Sequence, residues 1–286
     1  MANGTKGDMY TKEIIKRILD EGCLDKNPRP KYSDGVPAHT LSVNHGMCTY
    51  DLTKGESPLI TLRPIAVKSA IGELLWIYQD ESNNLDILAK KYGVSWWDEW
   101  DLGDRTIGAC YGYTVHTHNQ MKNLLKNLVE DPDSRRHIID LWQIDDFKKP
   151  HGLKPCAYNT VFNVRHGKDG VDYLDMSLKQ RSSDFLTAGC INQVQYLVFL
   201  YLVARHCGYT PGRFTWFYDN IQIYDRHIEQ AHEILEREPI DCNPEIWLNP
   251  DKTNFYDFTQ DDVKITGYPR QLIKEKNPQM KFDLGI

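Results

Sequence analysis

The chain has 286 residues, with 34 Lys+Arg against 40 Asp+Glu and a formal net charge of −6. Its hydrophobic fraction of 41%, including 16 Tyr, 9 Phe and 7 Trp, is ample for a core and excludes a disordered chain. The acidic balance argues against a general nucleic-acid or membrane-surface binder, so any anion site has to be local.

The first seven residues are polar and lead into charged sequence, which does not read as a secretory signal. Residues 10–21 place Ile14, Ile15, Ile18 and Leu19 on one helical face, and Gly22 can end that helix. Residues 28–37 are dense in turn formers and read as a mobile loop. The stretch Val67–Tyr78 is a second helix, with Ile71, Leu74, Leu75 and Tyr78 along one side and Glu73 set among apolar neighbours. Residues 119–130 form an amphipathic helix closed by Asp131-Pro132. From Cys156 the period changes: Tyr158, Thr160, Phe162 and Val164 alternate with Ala157, Asn159, Val161 and Asn163, which is strand spacing. Residues 173–179 make a second strand, separated from the first by the turn-rich 166–170. Residues 192–206 are apolar all round and read as a buried central helix. Residues 214–224 are strand-like, and 228–238 make a polar-faced helix.

No repeat, low-complexity tract or linker divides the chain. The expectation is one α+β domain over residues 1–286, a mostly antiparallel sheet packed with helices around the long buried one. The longest apolar run, residues 196–204, is nine long, against about 20 to span a bilayer. Seven cysteines with no C-x-x-C pair argue against a zinc site, and free thiols without an export signal point to the cytoplasm.

Several groups have the composition of a reaction centre. Cys156, after Pro155 and at a strand entrance, is a nucleophile if a cation stabilises its thiolate; otherwise it is a small buried hydrophobe. Arg135-Arg136 and Arg181-Ser182 offer guanidinium and hydroxyl donors suited to phosphate oxygens, or else surface ion pairs. Glu73 costs several kcal/mol to bury ionised, so it is either salt-bridged or a carboxyl with a raised pKa suited to proton transfer. The run Trp96-Trp97-Asp98-Glu99-Trp100 supplies either core or flat walls for a ring. Asn192 presents donor and acceptor side by side, as a helix cap or as a reader of an oxo–imino edge.

These segments come in a particular order: Asp34-Gly35-Val36-Pro37-Ala38-His39, Gly72-Glu73-Leu74-Leu75-Trp76, Trp97-Asp98-Glu99-Trp100 and Gly108-Ala109-Cys110-Tyr111-Gly112. Then follow Asp133-Ser134-Arg135-Arg136-His137, Pro155-Cys156, Gln180-Arg181-Ser182-Ser183-Asp184, Asn192 and Ile223-Tyr224. In that order, over nearly the whole chain, the set resembles the thymidylate synthase family. The resemblance implies a homodimer built on a sheet face, which methylates dUMP with 5,10-methylenetetrahydrofolate as carbon donor and reductant and needs no metal. It makes Cys156 the nucleophile toward C6 of uracil, with Arg181 lowering its pKa and holding phosphate. Glu73 and Tyr111 join the catalytic set for proton transfers. It gives dUMP Ser182, Asp184, Asn192, Gln222 and Tyr224, with Arg135 and Arg136 coming from the partner subunit. Arg29, or failing that Lys31, is the phosphate ligand of the mobile loop 26–37. Trp97, Trp100, Leu153, Asp184 and Ile286 fall on the folate side, and the tail 277–286 would close over both ligands.

Four positions depart from the family pattern. Ala157 and Gln222 stand where histidines are usual, Ala188-Gly189-Cys190-Ile191 replaces a Gly-x-Pro-Phe segment, and Arg63 replaces a folate-side Lys. The alternatives are a dUMP or dCMP hydroxymethylase that adds water to the same intermediate, and an RNA-binding regulator, which the acidic balance disfavours.

Overall fold

The computed structural model describes residues 4–285. Helix α1 (Lys6–Glu21) starts ahead of its apolar stripe, because Thr5 and Asp8 form a capping box that satisfies the first-turn amides. Strands β1 (Cys23–Leu24) and β2 (Thr40–Asp51) follow. The second escapes alternation because Asn44-His45-Gly46 interrupts it, with His45 at φ 54°. Helix α2 (Val67–Tyr78) is apolar and almost wholly buried. Helices α3 (Leu85–Tyr92), α4 (Gly112–Thr117) and α5 (Gln120–Glu130) lead to strand β3 (His137–Asp140). The hairpin β4 (Ala157–His166) and β5 (Asp172–Gln180) turns where the glycine-rich 166–170 predicts.

The short β6 (Ser183–Asp184) runs into a wide π-type turn over Phe185–Gly189, and this leads without a break into α6 (Cys190–Cys207). Asn192 therefore lies inside the helix and does not cap it. Helix α6 has no polar face; Gly208 ends it in the left-handed conformation at φ 80°. The stretch Phe185–Cys207 is long and apolar enough to span a bilayer by length and composition, yet it is packed inside the fold. Strand β7 (Thr210–Tyr224), helix α7 (Ile228–Glu236), the small hairpin β8 (Glu245–Leu248) and β9 (Val263–Thr266), and α8 (Arg270–Lys276) complete the chain.

The main sheet has the order β1-β2-β7-β5-β4-β3, with β6 beside β7. All its pairings are antiparallel except β5–β7 and β6–β7, where the chain returns through α6. Across the sheet, Cys48, Trp216, Leu178, Thr160 and Ile139 fall on the face that is buried. The opposite face carries Met47, Phe217 and Ile138, which stay exposed. Met47 and Phe217 are register partners, so their side chains adjoin on that face. Gly46 sits where a Cβ would come within 2.2 Å of the Tyr218 hydroxyl, so glycine leaves room for the Tyr218 ring to lie across the strand there.

Candidate active site

The register Ala157↔Gln180 across β4 and β5 brings Cys156, just before one strand, level with Arg181, just after the other. The Arg181 amide donates to the Cys156 carbonyl at 2.9 Å. Its guanidinium is held by two further carbonyls, Nε to Pro155 O at 2.9 Å and Nη2 to Lys154 O at 2.8 Å, with the Trp142 ring 5.4 Å away. That leaves Nη2 3.8 Å from Cys156 Sγ. Burial pushes the thiol above its ordinary pKa, and the positive charges of Arg181 and Arg29 pull it back. The net direction is upward, so the depressed thiol expected from Arg181 alone is not reached.

The β6–β7 register sets Asp184 beside Gln222, and the Gln222 amide donates to Ser182 Oγ at 3.3 Å. Tyr224 ends β7, and its hydroxyl donates to the Gly285 carbonyl at 3.4 Å. In α6, Asn192 Oδ1 accepts from Gln180 Nε2 at 3.0 Å, while Gln180 Oε1 accepts from the Trp216 indole at 2.9 Å. Asn192 is thus aimed by a buried relay rather than by its own backbone. Asp184 bonds Thr187 through one carboxylate oxygen; its Oδ1 is buried with no partner among the described residues. A buried acceptor left open in this way is suited to a ligand N–H.

These groups line one cavity of about 490 Å³. Cys156, Arg181, Ser182, Asp184, Asn192, Gln222, Tyr224, Arg29, Trp100 and Leu153 all face it, and the tail reaches its rim through Leu284 and Gly285. Between the two loop cations, Arg29 lines the cavity and Lys31 does not. A second cavity of about 460 Å³ adjoins it, sharing Thr187 and Leu284. Arg63 borders that one but is turned inward: it is 3% exposed and donates to the carbonyls of Leu186, Pro64 and Thr187. Its charge therefore braces the π-type turn and is not free for a ligand.

Glu73, Trp97 and Tyr111 lie behind the cavity wall. Tyr111, at φ 50°, is buried and its hydroxyl accepts the Cys156 backbone N–H at 3.1 Å. Its ring lies 4.9 Å from Trp97, which in turn meets Trp100 at 5.3 Å. Glu73 is 8% exposed, and burial, partly offset by the Trp96 indole and the nearby Gln195 and Trp97 donors, pushes its carboxyl up to about 7. Trp96 donates its indole N–H to that carboxyl. Arg135 and Arg136 are exposed at the start of β3, away from the cavity, and make no ion pair among the described residues. Ile286 lies outside the described residues. No cluster of metal-ligating side chains occurs among the described residues.

Gln180, Asp25 and Asn27 also line the cavity, although sequence reasoning assigned them no role. Gln180 could have been found from strand parity, since it ends β5 on the core face.

Comparison with known proteins gives a consistent family. The family model described as thymidylate synthase matches residues 9–280. The chain is 46% identical over 283 residues to the thymidylate synthase of Lactococcus lactis subsp. cremoris, covering 99% of this chain and 100% of that one. It is 48% identical over 284 residues to that of Streptococcus pneumoniae, again covering 99% and 100%. The solved structure of thermostable thymidylate synthase A from Bacillus subtilis superposes with a TM-score of 0.88 at 35% identity, covering 98% of this chain and 99% of that one. The chain belongs to the thymidylate synthase family.

Proposed function

We propose that this family member converts dUMP to dTMP through a covalent bond from Cys156 Sγ to C6 of the uracil ring. The chain is a methyltransferase, with dUMP as acceptor and 5,10-methylenetetrahydrofolate as the co-substrate that supplies both the carbon and the hydride. The observation that carries the residue assignment is the convergence of a thiol, a guanidinium 3.8 Å from it and an oriented amide on one cavity.

Each role follows from what its group can do. Cys156 adds to C6, and the electron pair moves toward C5 and O4. Arg181 stabilises the thiolate through Nη2, while Nη1, which has no partner among the described residues, faces the phosphate together with Ser182 and Arg29. The Asn192 amide pairs with the O4/N3 edge, because its donor and acceptor match that edge; Asp would match cytosine instead. Gln222 and Tyr224 hold the ribose. Glu73, with a pKa near 7, gains or loses a proton at neutral pH at little cost and manages proton transfers through water. Tyr111 positions the backbone of Cys156 and assists loss of the C5 proton.

Trp97, Trp100 and Leu153 form the folate wall, and the open Asp184 Oδ1 accepts ring N–H groups. The single catalytic domain carries two closing segments. The loop 26–37 brings Arg29 to the phosphate, and the tail 277–286, Ile286 included, excludes water so that hydride reaches the methylene group.

The family is dimeric, and we assign the exposed Met47/Phe217 face to that contact. Arg135 and Arg136 of the partner subunit then reach the phosphate, which agrees with their having no ion pair among the described residues of their own chain. Seven free thiols suit a cytoplasmic setting.

Replacing Cys156 with Ala tests the assignment. The expected variant retains dUMP binding by calorimetry and forms no dTMP. Turnover above about one hundredth of wild type would exclude Cys156 as the nucleophile, since removal of a covalent nucleophile costs several powers of ten.

A further inference from the structure

The Glu73 carboxyl is approached by few polar groups. From α6 come Gln195 and Tyr196, from its own helix Tyr78, and from the segment after α3 the indoles of Trp96 and Trp97; none of these carries charge at neutral pH. Gln195 gives its amide to the Ala70 carbonyl at 3.3 Å, and the Tyr78 and Tyr196 hydroxyls bond each other at 2.8 Å. The Trp97 indole N–H is buried without a partner among the described residues. The Trp96 indole N–H, by contrast, is aimed directly at Glu73 Oε2. Trp96 reaches it because Gly93, left-handed at φ 68°, ends α3 and turns the chain back toward α2, with buried Val94 anchoring the turn.

We propose that Trp96 is a positioning residue for the reaction, its indole N–H fixing the orientation and protonation balance of the Glu73 carboxyl. The proposal rests on the reading of Glu73 as the proton-handling group. A donor to a carboxylate oxygen favours the ionised form, whereas burial favours the neutral one. Trp96 therefore opposes the burial that lifts Glu73 to about 7, and it does so from a loop that also carries the folate wall. Trp96 is partly buried with its ring packed against the core, and its N–H is directed at Glu73 on α2.

The bond can be read directly in the wild-type protein by ¹⁵N labelling of its 7 tryptophans. Trp96→Phe deletes one indole resonance and so assigns it; Trp96→Tyr serves if the Phe variant is unstable. The expected resonance moves with pH, with a midpoint of about 7, and is flat in Glu73→Gln. Trp96→Phe should lower kcat about tenfold with KM for dUMP unchanged, as befits loss of a hydrogen bond to a charged group. It should also move to higher pH the limb that reports Glu73, and cost nothing further in the Glu73→Gln background. An assigned resonance that ignores pH, or that still moves in Glu73→Gln, overturns the proposal. So does an equal loss of turnover in both backgrounds, the result for a residue that only packs. If wild type forms no dTMP the parent reading fails, while the titration still judges the Trp96–Glu73 link.

Discussion

Glu73→Gln should make the protein slower and more stable, with the gain in stability dependent on pH. The carboxyl titrates near 4.5 when exposed and at about 7 in the folded chain, because it is buried in α2 at 8% exposure. The folded state thus keeps its proton to higher pH than the unfolded chain does. Unfolding releases that proton between the two values, so stability falls as pH rises through the window and the whole penalty is present above about 7. At about 1.4 kcal/mol per pH unit the difference amounts to about 3 kcal/mol. Gln keeps the shape and still accepts from the Trp96 indole, but it has no charge to desolvate. Urea unfolding at matched protomer concentration should therefore show near parity at about pH 4.5 and an advantage for the variant of up to about 3 kcal/mol at about pH 8.5. Turnover should fall over the same range. A stability difference that is the same at both pH values would refute the reasoning, since it would mean that Glu73 is no harder to ionise in the fold than outside it.

Three further outcomes follow from the site. Mixing inactive Cys156→Ala with inactive Arg135→Ala/Arg136→Ala after joint refolding should restore about a quarter of the sites, because half the dimers are mixed and each has one intact site; no recovery would place all phosphate ligands on one chain. Asn192→Asp should weaken dUMP turnover and improve dCMP turnover, by about tenfold or more in their ratio, as read by competition kinetics; an unchanged ratio would mean that Asn192 does not read the ring edge. Arg226 bonds Asp34 at 2.7 Å and Asp283 at 3.4 Å and lies 3.9 Å from the Tyr32 ring, so it ties the loop 26–37 to the tail. Arg226→Ala should speed hydrogen exchange in residues 279–285 without altering global unfolding, and equal exchange would contradict the tie.

The parts of the fold visible in the sequence were those with one clear period. Helix α6 is apolar all round and β4 alternates cleanly, and both stand where their patterns predict. Strand β2 was hidden because Asn44-His45-Gly46 breaks its alternation, although its neighbours Leu41, Val43, Cys48 and Tyr50 carry the buried side. The start of α1 was hidden because its first turn is polar and is secured by Thr5 and Asp8 rather than by apolar contacts. In the site, Cys156, Arg181 and Asn192 could be singled out by chemistry, yet only the β4–β5 register and the Gln180–Asn192 hydrogen bond between β5 and α6 bring them together. What could not be read was which partner each side chain takes. Arg63 stands where a folate-side cation is expected but is consumed by the carbonyls of the π-type turn, and Trp96 reads as core or ring wall but also holds Glu73. Such pairings depend on segments far apart in the chain, and no local period reports them.

The most direct test of the account is product analysis after incubation with dUMP and 5,10-methylenetetrahydrofolate. The account predicts dTMP and dihydrofolate in equal amounts, because hydride from the folate rather than water reaches the methylene carbon attached at C5. Hydroxymethyl-dUMP with tetrahydrofolate would contradict it.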